Sequence, residues 1–137
     1  MSICKLRGHS GTANAQLASV DIRADGTITG LLLSVKAIGM GSIDNFAEVE
    51  LSFSPGQVFD SNDIRTALAS VRIANNATAT YVSGVGADSV ALSGLKIPVA
   101  QGERVYMYGT FNGSVSDVQG TAYLYIEDGF DERLRRR

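Results

Sequence analysis

The sequence predicts an all-β fold: an antiparallel β-sandwich, jelly-roll-like, with about seven or eight strands and one short helix near 61–72. Three observations carry this. Apolar and polar residues alternate with period two through most of the chain. Turn residues punctuate it roughly every 8–12 positions. The composition is 45% hydrophobic but only 19% charged, with 15 glycines, 2 prolines and no tryptophan, the palette of a strand-rich, turn-rich protein.

The 137 residues suit one domain, burying roughly two-thirds of the surface the unfolded chain exposes. We divide the chain into an irregular N-terminal arm at 1–15, a sandwich at 16–128 and a basic tail at 129–137. The apolar run LLLSVKAIGM from Leu31 is broken by Lys36 and falls well short of the ~20 residues of a membrane span. MSICKLRGHSGTANAQ lacks the apolar core of a secretory signal, so synthesis in a cytoplasm and no membrane partner are expected.

From Gln16 the alternation begins. Ala18, Val20 and Ile22 share one side of a strand, Ala24-Asp25-Gly26-Thr27 supplies a turn, and Leu31, Leu33 and Val35 continue on the far side. An Asp-Gly pair between alternating runs predicts a hairpin with Val20 opposite Leu31 and Ala18 opposite Leu33. FAEVELSFS then places Ala47, Val49, Leu51 and Phe53 inward and Glu48, Glu50 and Ser52 outward. In DSNDIRTALASVRI, the spacing of Ile64, Leu68 and Val71 behind Asp60 and Ser61 predicts the helix. TATYV and SVALS follow as strands around the loop GVGAD, and GLKIPVAQGE reads as an edge segment, because Pro98 has no N–H for a ladder, with a turn at Gln101-Gly102.

The last two strands hold four of the five tyrosines. Tyr106 and Tyr108 alternate with Val105 and Met107, and Tyr123 and Tyr125 alternate with Ala122 and Leu124. Antiparallel pairing with Phe111 opposite Gly120 sets Tyr106 against Tyr125 and Tyr108 against Tyr123, with Met107 facing Leu124 on the core side. The rival arrangement assigns the two strands to opposing sheets and splits the tyrosines. Such rings serve sheet packing, contact with another chain, or sugar stacking.

Catalytic patterns are absent from the sequence. Cys4 and His9 form a C-x4-H pair without the further ligands zinc requires, and the lone Cys4 reads as a reduced thiol. No GxSxG elbow occurs. Asp60, Asn62 and Asp63 read as helix caps rather than a calcium loop, and Glu48 and Glu50 as a solvated strand face. We expect no cofactor, no metal and no enzymatic activity.

Charge is uneven: residues 1–130 hold 8 Lys and Arg against 12 Asp and Glu, whereas DERLRRR at 131–137 holds 4 against 2. Arg133, Arg135, Arg136 and Arg137 therefore suit contact with an acidic neighbouring protein or, more weakly, with nucleic acid.

The stretches VDIRADGTITGLLLSV and GLKIPVAQGERVYMYGTF, with the order of strands between them, resemble small virion structural proteins, in particular the β-sandwich minor capsid and head-decoration proteins of bacteriophages. That resemblance implies a virion protein that binds a capsid lattice as a homo-oligomer, a trimer being one such form, and performs no reaction. Tyr106, Tyr108, Tyr123, Tyr125 and the four tail arginines are the expected subunit or capsid contacts. A small major capsid protein enclosing the genome and a carbohydrate-binding sandwich module are the alternatives.

Overall fold

The computed structural model describes residues 2–41, 44–55, 67–75 and 85–128. Eight strands occupy them: β1 Ser2–Ser10, β2 Asn14–Asp21, β3 Gly26–Ile38, β4 Phe46–Ser52, β5 Ala67–Ala74, β6 Val85–Val99, β7 Arg104–Phe111 and β8 Asp117–Asp128. They form two four-stranded sheets, β1-β8-β3-β6 and β2-β7-β4-β5, in which every pairing is antiparallel. Of the connections between successive strands, that from β4 to β5 alone joins neighbours of one sheet, and each of the others crosses to the opposite sheet. This order is that of an eight-stranded jelly roll, as expected. No helix long and apolar enough to cross a membrane occurs among the described residues.

The core lies between the sheets. Leu31, Leu33, Val35 and Ala37 of β3 face Val49 and Leu51 of β4 and Val105 and Met107 of β7, with Ala122, Leu124 and Ile126 of β8 beside them, all buried. Period-two alternation in these strands sends one face to the core and leaves the other outside. Ala47, Val49 and Leu51 point inward as the sequence predicts.

Several expectations are corrected. The Asp25-Gly26 turn does not close a hairpin, because β2 pairs with β7 and β3 with β6 and β8. It is a corner between sheets. The Ile22 N–H donates to the Glu103 carbonyl at 2.7 Å, the Gly102 N–H to the Ile22 carbonyl at 3.0 Å and the Gln101 N–H to the Asp25 carboxylate at 2.9 Å. Those bonds commit the end of β2 to the turn before β7.

Residues 2–15 of the expected arm are not irregular. They form β1 and the start of β2, with Leu6 buried and Cys4 half-buried. Their periodicity is hidden by Lys5, Arg7 and His9 on the outer face and by Gly8, where a side chain would strike the Leu17 carbonyl oxygen of the adjacent sheet.

In place of a helix, residues 67–74 form β5, in which Ala69, Val71 and Ile73 are buried at alternate positions. Residues 61–66 of that expected helix, and the TATYV stretch, lie outside the described residues. Val85–Asp88, read as a loop, are the first residues of β6, which continues through the GLKIPV segment as the expected sheet edge. A register shift against β3 accompanies Gly94, at φ 69°, and with Pro98 it blunts that half of the edge against further pairing. Glu50 and Ser52, expected to be wet, are each only 2% exposed. Their in-register neighbours are Tyr108 and Ser70 for Glu50, and Tyr106 and Ala67 for Ser52.

Candidate interaction surfaces

The four tyrosines do not share a face. β7 and β8 lie in opposing sheets, so the register of Tyr106 with Tyr125 and Tyr108 with Tyr123 does not form, and the rival arrangement holds. The local alternation was read correctly, since Val105, Met107, Ala122 and Leu124 are buried while all four tyrosines are half-buried. Each Tyr-x-Tyr pair therefore stands on its own outer surface, the two surfaces on opposite sides of the sandwich.

On the β1-β8-β3-β6 surface, one rung places Ile3, Tyr125 and Gly30 side by side, and the next places Lys5, Tyr123 and Leu32. The Tyr125 ring lies over Gly30, its Cδ2 3.5 Å from where a Cβ on that glycine would stand. Lys5 Nζ sits 5.6 Å from the centroid of the Tyr123 ring, a cation–π contact. Ile3, 60% exposed, extends this apolar band to the sheet edge.

The opposite surface is more ionic. Tyr106 lies between Ser19 and Ser52, and Tyr108 between Gln16 and Glu50. Arg104 Nε donates to Asp21 Oδ1 at 2.7 Å. That hydrogen bond and the guanidinium charge hold the Asp21 carboxyl below its ordinary value, and the same bond with the carboxylate charge raises Arg104 above its own. Farther along, Arg72 lies 3.9 Å from Glu48 and 4.2 Å from the centroid of the Phe46 ring.

At one end of the sandwich, a cleft of about 520 Å³ opens between the start of β1 and the β2–β3 corner, with Cys4, Val20, Ile22 and Ile126 inside and Lys5 and Arg23 among its lining. Burial pushes the Cys4 thiol up, partly offset by the charge of Arg23, so the protonated thiol is favoured over the thiolate. His9 is far from forming a metal site with Cys4; its Nδ1 instead lies 3.1 Å from Asp117 Oδ1. No group of three or more His, Cys, Asp or Glu side chains placed to hold a metal ion occurs among the described residues. Arg133, Arg135, Arg136 and Arg137, and Asp60, Asn62 and Asp63, lie outside the described residues.

No protein-family model and no curated protein matches the chain. Among solved structures it is similar to one of Desmodium yellow mottle tymovirus, at a TM-score of 0.37 and 12% identity over 90% of this chain and 86% of that one. It is also similar to TmCBM61 solved in complex with β-1,4-galactotriose, at a TM-score of 0.37 and 9% identity over 92% and 88%. A third similar structure is that of infectious bursal disease virus Gx strain, at a TM-score of 0.35 and 12% identity over 93% of this chain and 35% of that one.

Proposed function

We propose that the chain is a non-enzymatic structural protein of a virion, one that attaches to a capsid lattice as a decoration or minor capsid protein. The observation that carries this reading is the division of the tyrosines: two half-buried Tyr-x-Tyr rows stand on opposite outer faces of one rigid sandwich. Tyrosine is enriched in protein interfaces, and a body with contact rows on both sides bridges two neighbours. An enzyme gathers its working groups in a single convergent site. A sugar-stacking platform calls for the tyrosines on one face, so their separation disfavours that form of the carbohydrate-binding alternative.

In this reading the two faces form subunit or coat contacts, and the arginines of residues 129–137 add a third attachment to an acidic neighbour. Several weak contacts on one rigid body give a combined strength that none has alone. The protein then resides in the virion, as a homo-oligomer or in register with coat subunits, and nucleic acid is at most a secondary contact of the tail.

The test is occupancy in particles. Coat shells are assembled with the intact chain, with Tyr106 and Tyr108 changed to Ser, with Tyr123 and Tyr125 changed to Ser, or with residues 131–137 removed. Reduced occupancy for both tyrosine pairs supports the bridge, and unchanged occupancy for both overturns it. Closed particles formed by the chain alone would instead identify a major coat protein.

A further inference from the structure

The outer surface of the β1-β8-β3-β6 sheet holds a polar feature beside its tyrosine row. One rung across all four strands reads Arg7, Thr121, Ser34, Ser89, and the next reads His9, Gln119, Lys36, Ala87. These side chains point the same way because they stand two residues apart on each strand. Short side chains on β8, β3 and β6 leave a depression between the taller Tyr123 and Leu32 on one side and the basic residues on the other. Two hollows of about 460 and 490 Å³ adjoin at Gln119 and Thr121, which line both, and together they extend from β1 to β6 as a shallow trough. Its span is three inter-strand spacings, roughly 14 Å.

Two polar groups of the trough, Gln119 and His9, are held by Asp117. Asp117 accepts from Gln119 Nε2 at 3.1 Å through one carboxylate oxygen, and its other oxygen lies 3.1 Å from His9 Nδ1. An ionised carboxylate only accepts, so His9 Nδ1 carries a hydrogen directed at Asp117. Arg7 and Lys36 have no acidic partner among the described residues. The trough therefore offers two cations without an ion-pair partner among the described residues, three hydroxyls and a fixed amide, with the carboxylates of Asp88 and Asp117 at its margins.

We propose that this trough binds an acidic oligosaccharide, a short sugar chain bearing a carboxylate or sulfate. The proposal goes beyond the lattice reading and stands without it. Hydroxyls and amides at fixed positions match the alternating donors and acceptors of a sugar ring, while Arg7 and Lys36 select the acidic group. Nucleic acid fits less well. A single strand brings a negative charge about every 3.4 Å, and two cations over the trough neutralise too few of them.

The experiment titrates the full chain, labelled for amide NMR, with 3′-sialyllactose, with lactose and with an eight-residue oligothymidylate. Shifts at Ser34, Ser89 and Thr121 on adding 3′-sialyllactose, weakened about tenfold by Arg7→Ala or Lys36→Ala and abolished by Ser34→Tyr, are expected. Unchanged melting temperatures separate these effects from misfolding. Equal binding of lactose, tighter binding of the oligonucleotide, shifts confined to residues 131–137, or no shift with any probe would each overturn the proposal. Particle occupancy is unaffected by these outcomes, so the lattice reading is judged separately.

Discussion

Gly120 of β8 and Met107 of β7 meet across the core: a Cβ on Gly120 would lie 2.5 Å from Met107 Sδ and 3.3 Å from Val49 Cγ1. The two strands that carry the tyrosines thus touch through their buried faces, which is why their outer faces look in opposite directions. Adding volume here overpacks the centre of the sandwich. Gly120→Val is expected to cost about 1–3 kcal/mol, with Gly120→Ala milder because the thioether of Met107 has room to adjust. Urea unfolding of the two variants against the parent checks the order.

The separation of the tyrosines is measurable by cross-linking. Ile3 of β1 and Tyr125 of β8 are in-register neighbours, at the Cα spacing of about 4.5–5.5 Å that antiparallel pairs adopt and disulfides tolerate. In a Cys4→Ser background, Ile3→Cys with Tyr125→Cys should oxidise to a monomeric disulfide. Tyr106→Cys with Tyr125→Cys should not, since the whole sandwich stands between them. Mass spectrometry of the oxidised proteins distinguishes the two sheet assignments.

What the sequence revealed and what it hid follow the range of the interactions. Ala47, Val49 and Leu51 were legible because period-two alternation is local. The partner of β2 was not: an Asp-Gly turn serves a hairpin or a corner equally well, and the Ile22–Glu103 bonds that decide between them join segments about eighty residues apart. Around Val71, helical spacing from Ile64 and Leu68 overlaps strand spacing with Ala69 and Ile73, and only the opposite sheet favours the second. The polar trough was hidden for the same reason, since Arg7, Ser34, Ser89 and Thr121 come from four separate stretches. The tyrosines were found as residues and misplaced as a surface.

The far end of the sandwich depends on a buried amide. Asn45 is 4% exposed; its Nδ2 donates to the Gly39 carbonyl at 3.0 Å and to Ser114 Oγ at 2.6 Å. Asn112, which is exposed, accepts from the Phe46 N–H at 2.7 Å through Oδ1. Asn45→Ala removes both bonds from a side chain that is itself buried and is expected to cost about 1–3 kcal/mol. Asn112→Ala should cost at most about 1 kcal/mol, because water replaces the lost acceptor. Equal destabilisation in chemical denaturation would show that burial does not set the difference.

The Asp21–Arg104 pair gives the surface a pH signature. Its hydrogen bond and charge lower the Asp21 carboxyl from 3.8 in the folded chain. A carboxyl with a depressed folded value stabilises the fold above its unfolded value, and that contribution is lost as pH falls through the folded value. The pair is solvent-exposed, so the effect is small and salt-sensitive. Asp21→Asn should therefore be slightly less stable than the parent at pH 6 in low salt, and the gap should close both on acidification below pH 3.8 and on raising the ionic strength. A gap that survived acidification would assign the loss to packing around Val20 and Ile22 rather than to the ion pair.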